Sequence, residues 1–145
     1  MAKTPMQETA SFLIYRVGRL LRYKAAAFLA EYGRGVSPEQ WTVLLRLHEQ
    51  GDSAMGDLAD PVLEDHPNLT RLVAGLKDMG LVDTIRNPGD GRSRLAALTR
   101  EGKDFVAGIL PDLIEAKARF YDGLNQREVT TLITLLKVVE NNFES

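Results

Sequence analysis

Apolar positions in the first part of the chain recur at helical spacing. Phe12/Leu13, Val17, Leu20/Leu21, Lys24/Ala25 and Phe28/Leu29 mark one face, the period of an amphipathic helix. The pattern predicts a helix from about Gln7 to about Tyr32, ended by Gly33-Arg34-Gly35. Such a helix would reach roughly 37 Å at its usual rise. That is long for a chain of 145 residues, so it is expected to pack against something outside its own core.

Ser37-Pro38-Glu39-Gln40 is a helix start. Serine caps, proline suits the first helical position, and glutamine three residues on completes a capping box. Trp41, Leu44, Leu45 and His48 then share a face, and Gly51 ends the run. Ser53 is expected to cap a short helix carrying Met55, Leu58 and Ala59, limited by Pro61. After a break at 62–65, Pro67 opens the next helix, with Asp65 or His66 as its cap. Leu69, Leu72, Val73 and Leu76 form its apolar stripe, and Gly80 closes it in a left-handed conformation.

The period then changes to two. Leu81–Arg86 and Arg92–Leu98 read as strands, joined by the turn formers Asn87-Pro88-Gly89-Asp90-Gly91. Thr99 caps a helix over about Arg100–Tyr121 with Phe105, Ile109, Leu113 and Phe120 on its stripe and Pro111 bending it. Asn125-Gln126-Arg127-Glu128 starts the last helix, which carries Val129, Leu132, Ile133, Leu136, Val139 and Phe143. The fold class expected is mainly α with a small β-hairpin. The first and last helices keep apolar stripes that need burial, and a second copy of the chain is the simplest partner.

Composition narrows the function. There is no cysteine, which removes disulfides, thiolate nucleophiles and sulfur-ligated metals. His48 and His66 have no partner at metal-ligand spacing. Neither a nucleophile–base pair nor a glycine-rich phosphate loop is present. The chain therefore reads as a non-enzyme without cofactor or metal. No apolar run approaches the roughly 18 residues of a membrane span, and the start has no apolar signal core; a cytoplasmic protein is expected.

Net charge is −2, but it is unevenly placed. Between His66 and Arg100 there are six bases and three acids, a net of +3, which leaves −5 on the rest. This asymmetry fits one phosphate-facing region on an acidic body. A helix followed by a basic hairpin is the layout of a winged helix-turn-helix. On the helix, His66, Asn68, Thr70 and Arg71 occupy the early exposed positions, and asparagine, threonine and arginine can all address base edges in a major groove. On the hairpin, Arg92 and Arg94 share a strand face, Arg86 lies across the loop, and Asp90 is spaced to pair with an arginine. A narrow minor groove favours arginines on such a tip.

These segments also resemble a family. QWTVLLRL, LADPVLEDHPNLTRLVAGLKDMGLV and RNPGDGRSRLAALTREG, between Ser37 and Gly102, are similar to the MarR family of bacterial transcriptional regulators. The most specific parts are Leu58-Ala59, Thr70-Arg71-Leu72, Gly80-Leu81-Val82, Asp90-x-Arg92-Ser93, Leu98-Thr99 and Gly102. The resemblance implies one domain over 1–145, with dimerisation helices at 7–32 and 100–145 and a winged helix-turn-helix lobe at 37–99. It implies a homodimer reading a pseudo-palindromic operator in double-stranded DNA, with recognition helices about one turn apart. It also implies a repressor released by a small aromatic or lipophilic ligand, with Tyr15, Arg16, Tyr23, Trp41 and His48 as candidate lining residues.

Three features depart from the family pattern. Gly91 stands where a basic residue is common. Pro61 is unusual in the first helix of the motif. Residues 52–65 hold five acids (Asp52, Asp57, Asp60, Glu64, Asp65) and no base. The acidic stretch favours a second reading, a winged-helix module for protein–protein contact with weak or no DNA binding. Arg71, Arg92 and Arg94 oppose it.

Overall fold

The computed structural model describes residues 5–60 and 66–144, with backbone alone at His66 and Pro67. A 3-10 turn at Pro5–Glu8 precedes α1 (Ala10–Ala30), α2 (Pro38–Gln50), β1 (Ser53–Ala54), α3 (Met55–Leu58) and α4 (His66–Asp78). The hairpin β2 (Val82–Asn87) and β3 (Asp90–Leu98) leads into α5 (Arg100–Ala118), a 3-10 turn at Arg119–Tyr121, and α6 (Gln126–Asn141). The chain divides into two compact units, Met1–Gly108 and Ile109–Ser145. No helix among the described residues is long and apolar enough to cross a membrane.

Caps set most helix starts. The Ser37 hydroxyl accepts from the Gln40 N–H at 3.1 Å, and the Gln40 side chain accepts from the Ser37 N–H at 3.0 Å. Asn125 and Glu128 make the same reciprocal pair at 2.8 and 3.0 Å. Each box satisfies donors that a helix start otherwise leaves unpaired. α1 starts later than its periodicity predicts, because Thr9 accepts from the Phe12 N–H and the residues before it form the 3-10 turn.

In the first unit α2 packs on α4 and β3, and α3 fills the space beside them. Val43, Leu44 and Leu47 of α2, Leu58 of α3, and Leu69, Val73 and Leu76 of α4 are buried. Leu81, Val82, Ala96 and Ala97 close the core from the sheet side. Each large aliphatic side chain buried there contributes about 1.5–3 kcal/mol. The sheet has the order β1-β3-β2, antiparallel throughout.

Ser53 does not cap a helix. It pairs with Ala96 as part of β1, is buried, and its hydroxyl donates to the Gly51 carbonyl at 2.8 Å. α3 begins at Met55 without a side-chain cap. His66 is the first residue of α4 rather than its cap, while Asp65, Glu64, Pro61 and the break at 62–65 lie outside the described residues. The hairpin turn is tighter than expected: β2 runs through Asn87 and β3 starts at Asp90, so only Pro88 and Gly89 lie between. The α-helix of α5 gives way to 3-10 geometry at Arg119, short of the expected Tyr121.

The second unit holds the rest of α5 and α6. None of the α6 residues is buried, and Leu132, Ile133, Leu136, Val139 and Phe143 are all exposed. Leu13, Val17, Leu20 and Leu21 of α1 are exposed as well. An amphipathic helix with a bare apolar face is marginal in water by itself.

Candidate nucleic-acid interface

The end of α4 is built to fix its direction. Gly80 takes a φ of 77°, a conformation glycine adopts without penalty. Its N–H reaches the Lys77 carbonyl at 3.0 Å and the Leu81 N–H reaches the Leu76 carbonyl at 3.1 Å, the paired bonds of a Schellman stop. The Thr99 hydroxyl then donates to the Gly80 carbonyl at 2.7 Å and accepts from the Gly102 N–H at 3.0 Å. One threonine thus caps α5 and ties its start to the end of α4. Gly102 lies so close that a side chain there would collide with the Leu81 carbonyl oxygen.

With Leu69, Val73 and Leu76 turned into the core, α4 leaves Thr70, Arg71, Ala74 and Lys77 exposed and Asn68 half-buried. Lys77 Nζ sits 3.0 Å from the Thr84 hydroxyl and 4.0 Å from the Asp83 carboxylate, joining α4 to β2. The side chain of His66 lies outside the described residues.

On the hairpin, Arg86 and Arg94 are direct cross-strand partners, and both are exposed. Arg92 is exposed nearer the tip, where the register shifts between Arg86 and Asn87. Asp90 acts differently from the expected ion pair. Its carboxylate accepts from the Arg92 backbone N–H at 3.0 Å, and no ion pair joins it to an arginine among the described residues. A carboxylate two residues back makes an Asx turn more easily than it reaches a long guanidinium. Asn87 completes the tip by accepting from the Gly89 N–H and donating to the Ser93 hydroxyl, both at 3.0 Å. The tip arginines are therefore held by backbone geometry, with their guanidinium groups directed to solvent.

The five candidate ligand-lining residues separate. Tyr15, Arg16 and Tyr23 line an open groove of about 380 Å³ along α1, together with Phe12, Arg19 and Leu20. Trp41 is buried, edge-on to Phe105 at 6.4 Å. His48 is exposed near the end of α2. The periodicity of α1 could have pointed to Arg19, which shares the face of Arg16 and Tyr23.

Sequence reasoning also passed over Arg34. Its guanidinium contacts Glu101 Oε1 at 2.7 Å and the Met79 carbonyl at 2.8 Å. The available signal was its setting between two glycines, both of which take a φ of 71°.

The sequence profile of the MarR family matches residues 34–93, which contain α2 through the tip of the hairpin. The HTH-type transcriptional repressor IacR of Pseudomonas putida is 30% identical over 106 residues, 73% of this chain and 64% of that protein. The chain thus spans less than two thirds of that relative's length. The HTH-type transcriptional regulator YkoM of Bacillus subtilis is 30% identical over 103 residues, 71% of this chain and 67% of that protein. Among solved structures, BpsR of Bordetella bronchiseptica, whose DNA binding is regulated by 6-hydroxynicotinic acid, superposes with a TM-score of 0.78. It is 21% identical, with 96% of this chain and 98% of that one covered, a likeness of fold. With the winged helix-turn-helix order of elements and these matches together, the chain belongs to the MarR family.

Proposed function

We propose that the chain is a homodimeric, sequence-specific DNA-binding transcriptional regulator, a repressor released by a small aromatic ligand. The observation that carries the DNA reading is the pairing of Arg86 with Arg94 across the wing. Like charges directly opposite one another destabilise a hairpin, so the pair suits a polyanion that sits between them. α4 supplies the sequence reading: Asn68, Thr70 and Arg71, with His66, address the major groove while Arg86, Arg92 and Arg94 grip the adjacent backbone or minor groove.

The bare apolar faces of α1 and α6 support dimerisation through the first and last helices. Two copies would set the recognition helices about one DNA turn apart on a pseudo-palindrome. The α1 groove, with two tyrosines and two arginines, suits a flat aromatic anion, and the ligand of BpsR belongs to that chemical class.

The test is binding to the DNA upstream of the chain's own gene at several salt concentrations. A sequence-dependent affinity that falls steeply with salt supports the reading. A confirmed dimer that binds no duplex at low salt would overturn it in favour of a protein-contact module.

A further inference from the structure

We propose that Arg34 is a positioning residue for DNA reading, setting the orientation of α4 through the carbonyl of Met79, the residue that follows the helix. The inference rests on the DNA-binding function proposed above. The Schellman bonds at the end of α4 use the carbonyls of Leu76 and Lys77. They do not use the carbonyl of Met79, just past the helix, and Arg34 Nη2 donates to it at 2.8 Å. A helix C-terminus is the end at which a cation is favourable. The other arm of the same guanidinium, Nη1, holds Glu101 in the first turn of α5 at 2.7 Å. Arg34 Cζ also lies 5.9 Å from the centre of the Phe105 ring, within range of a cation–π contact. Phe105 packs on Trp41 in α2.

One planar group therefore spans the end of α4, the start of α5 and, through Phe105, the core face of α2. Lysine carries the same charge but lacks the two-armed fork. It cannot hold the Met79 carbonyl and the Glu101 carboxylate in one fixed geometry. The contacts of Arg34, to Met79, Glu101 and Phe105, include none of the side chains assigned to DNA, so it acts on recognition through the helix it anchors.

The experiment uses the full chain. The wild type selects its preferred duplex from a random library. Affinities of wild type, Arg34→Lys, Arg34→Gln and Glu101→Gln are then measured on that duplex and on a scrambled one. Both Arg34 variants are expected to lose roughly tenfold on the selected duplex, the equivalent of one charge-assisted hydrogen bond, and to keep their affinity for the scrambled duplex. Glu101→Gln, which leaves the Met79 bond in place, falls between them and wild type. Amide exchange at Met79–Leu81 is expected to quicken in the Arg34 variants at a temperature where they are folded.

Equal losses on both duplexes with a shallower salt dependence would identify Arg34 as a phosphate contact and overturn the proposal. So would unchanged discrimination in Arg34→Lys, and this variant decides should Arg34→Gln fail to fold. A wild type that selects no duplex removes the functional reading, and the positioning role with it. A selective wild type with equally selective variants removes the positioning role alone.

Discussion

Arg86 on β2 and Arg94 on β3 face each other as direct partners in the hairpin, both exposed to solvent. An arrangement that costs stability in the free protein gains a purpose once a phosphate chain lies against it. Arg94→Ala is expected to weaken binding to every duplex alike and to lower the salt dependence by about one phosphate contact. Arg94→Glu goes further. It creates an opposite-charge pair with Arg86, so the melting temperature holds or rises while DNA affinity collapses. Parallel loss of both in a melting and binding series would show the arginines to be structural.

Gly102 offers a test of the junction between the wing and α5. An added methyl meets the Leu81 carbonyl oxygen, which is backbone and already accepts from the Thr99 N–H. Gly102→Ala is expected to cost about 1–3 kcal/mol in urea unfolding, the range for overpacking a close contact. Gly108→Ala, with open space around it, serves as the control on the same helix and should stabilise slightly.

The capping boxes predict smaller effects. Ser37→Ala removes the acceptor for the Gln40 N–H, and Asn125→Ala removes that for Glu128. Each is expected to lower stability by about 1 kcal/mol, measured as a shifted denaturation midpoint without a change of slope.

Ile133 and Leu136 on α6 are exposed apolar residues on the face assigned to dimerisation. Ile133→Glu with Leu136→Glu is expected to give a monomer by sedimentation and to remove the dependence of the melting temperature on protein concentration. A variant that remains dimeric would place the interface elsewhere.

Arg16 is one of the two arginines, with Arg19, that line the α1 groove. 6-Hydroxynicotinic acid or benzoic acid is expected to raise the melting temperature of the wild type, since a ligand of the folded state stabilises it. Arg16→Ala should abolish the shift. A shift that survives this substitution but disappears in Arg19→Ala would move the charge partner by one turn.

What could be read in the sequence was local. Ser37/Gln40 and Asn125/Glu128 are three residues apart, so both partners of each box lie in one short string. Gly80 declares its conformation because few other residues adopt it. The hairpin is visible from its period of two and its turn formers. Ser53 misled because a serine before a helical run suggests a cap, whereas its role depends on Ala96, far along the chain. Asp90 sits at a spacing that allows either an ion pair or an Asx turn, and only the tip conformation decides. Arg34 was hidden for a stronger reason: its partners Met79 and Glu101 lie 45 and 67 positions away. The residues expected to line a ligand site divided because Trp41 packs into the core while Tyr15, Arg16 and Tyr23 stay on α1.

Trp41 is the lone tryptophan of the chain, and its burial against Phe105 gives the molecule a built-in optical probe. Emission excited in the indole band reports from one known place, the seam where α2 meets the first half of α5. Loosening of that seam should move the spectrum to longer wavelength, so its condition can be followed without attaching a dye.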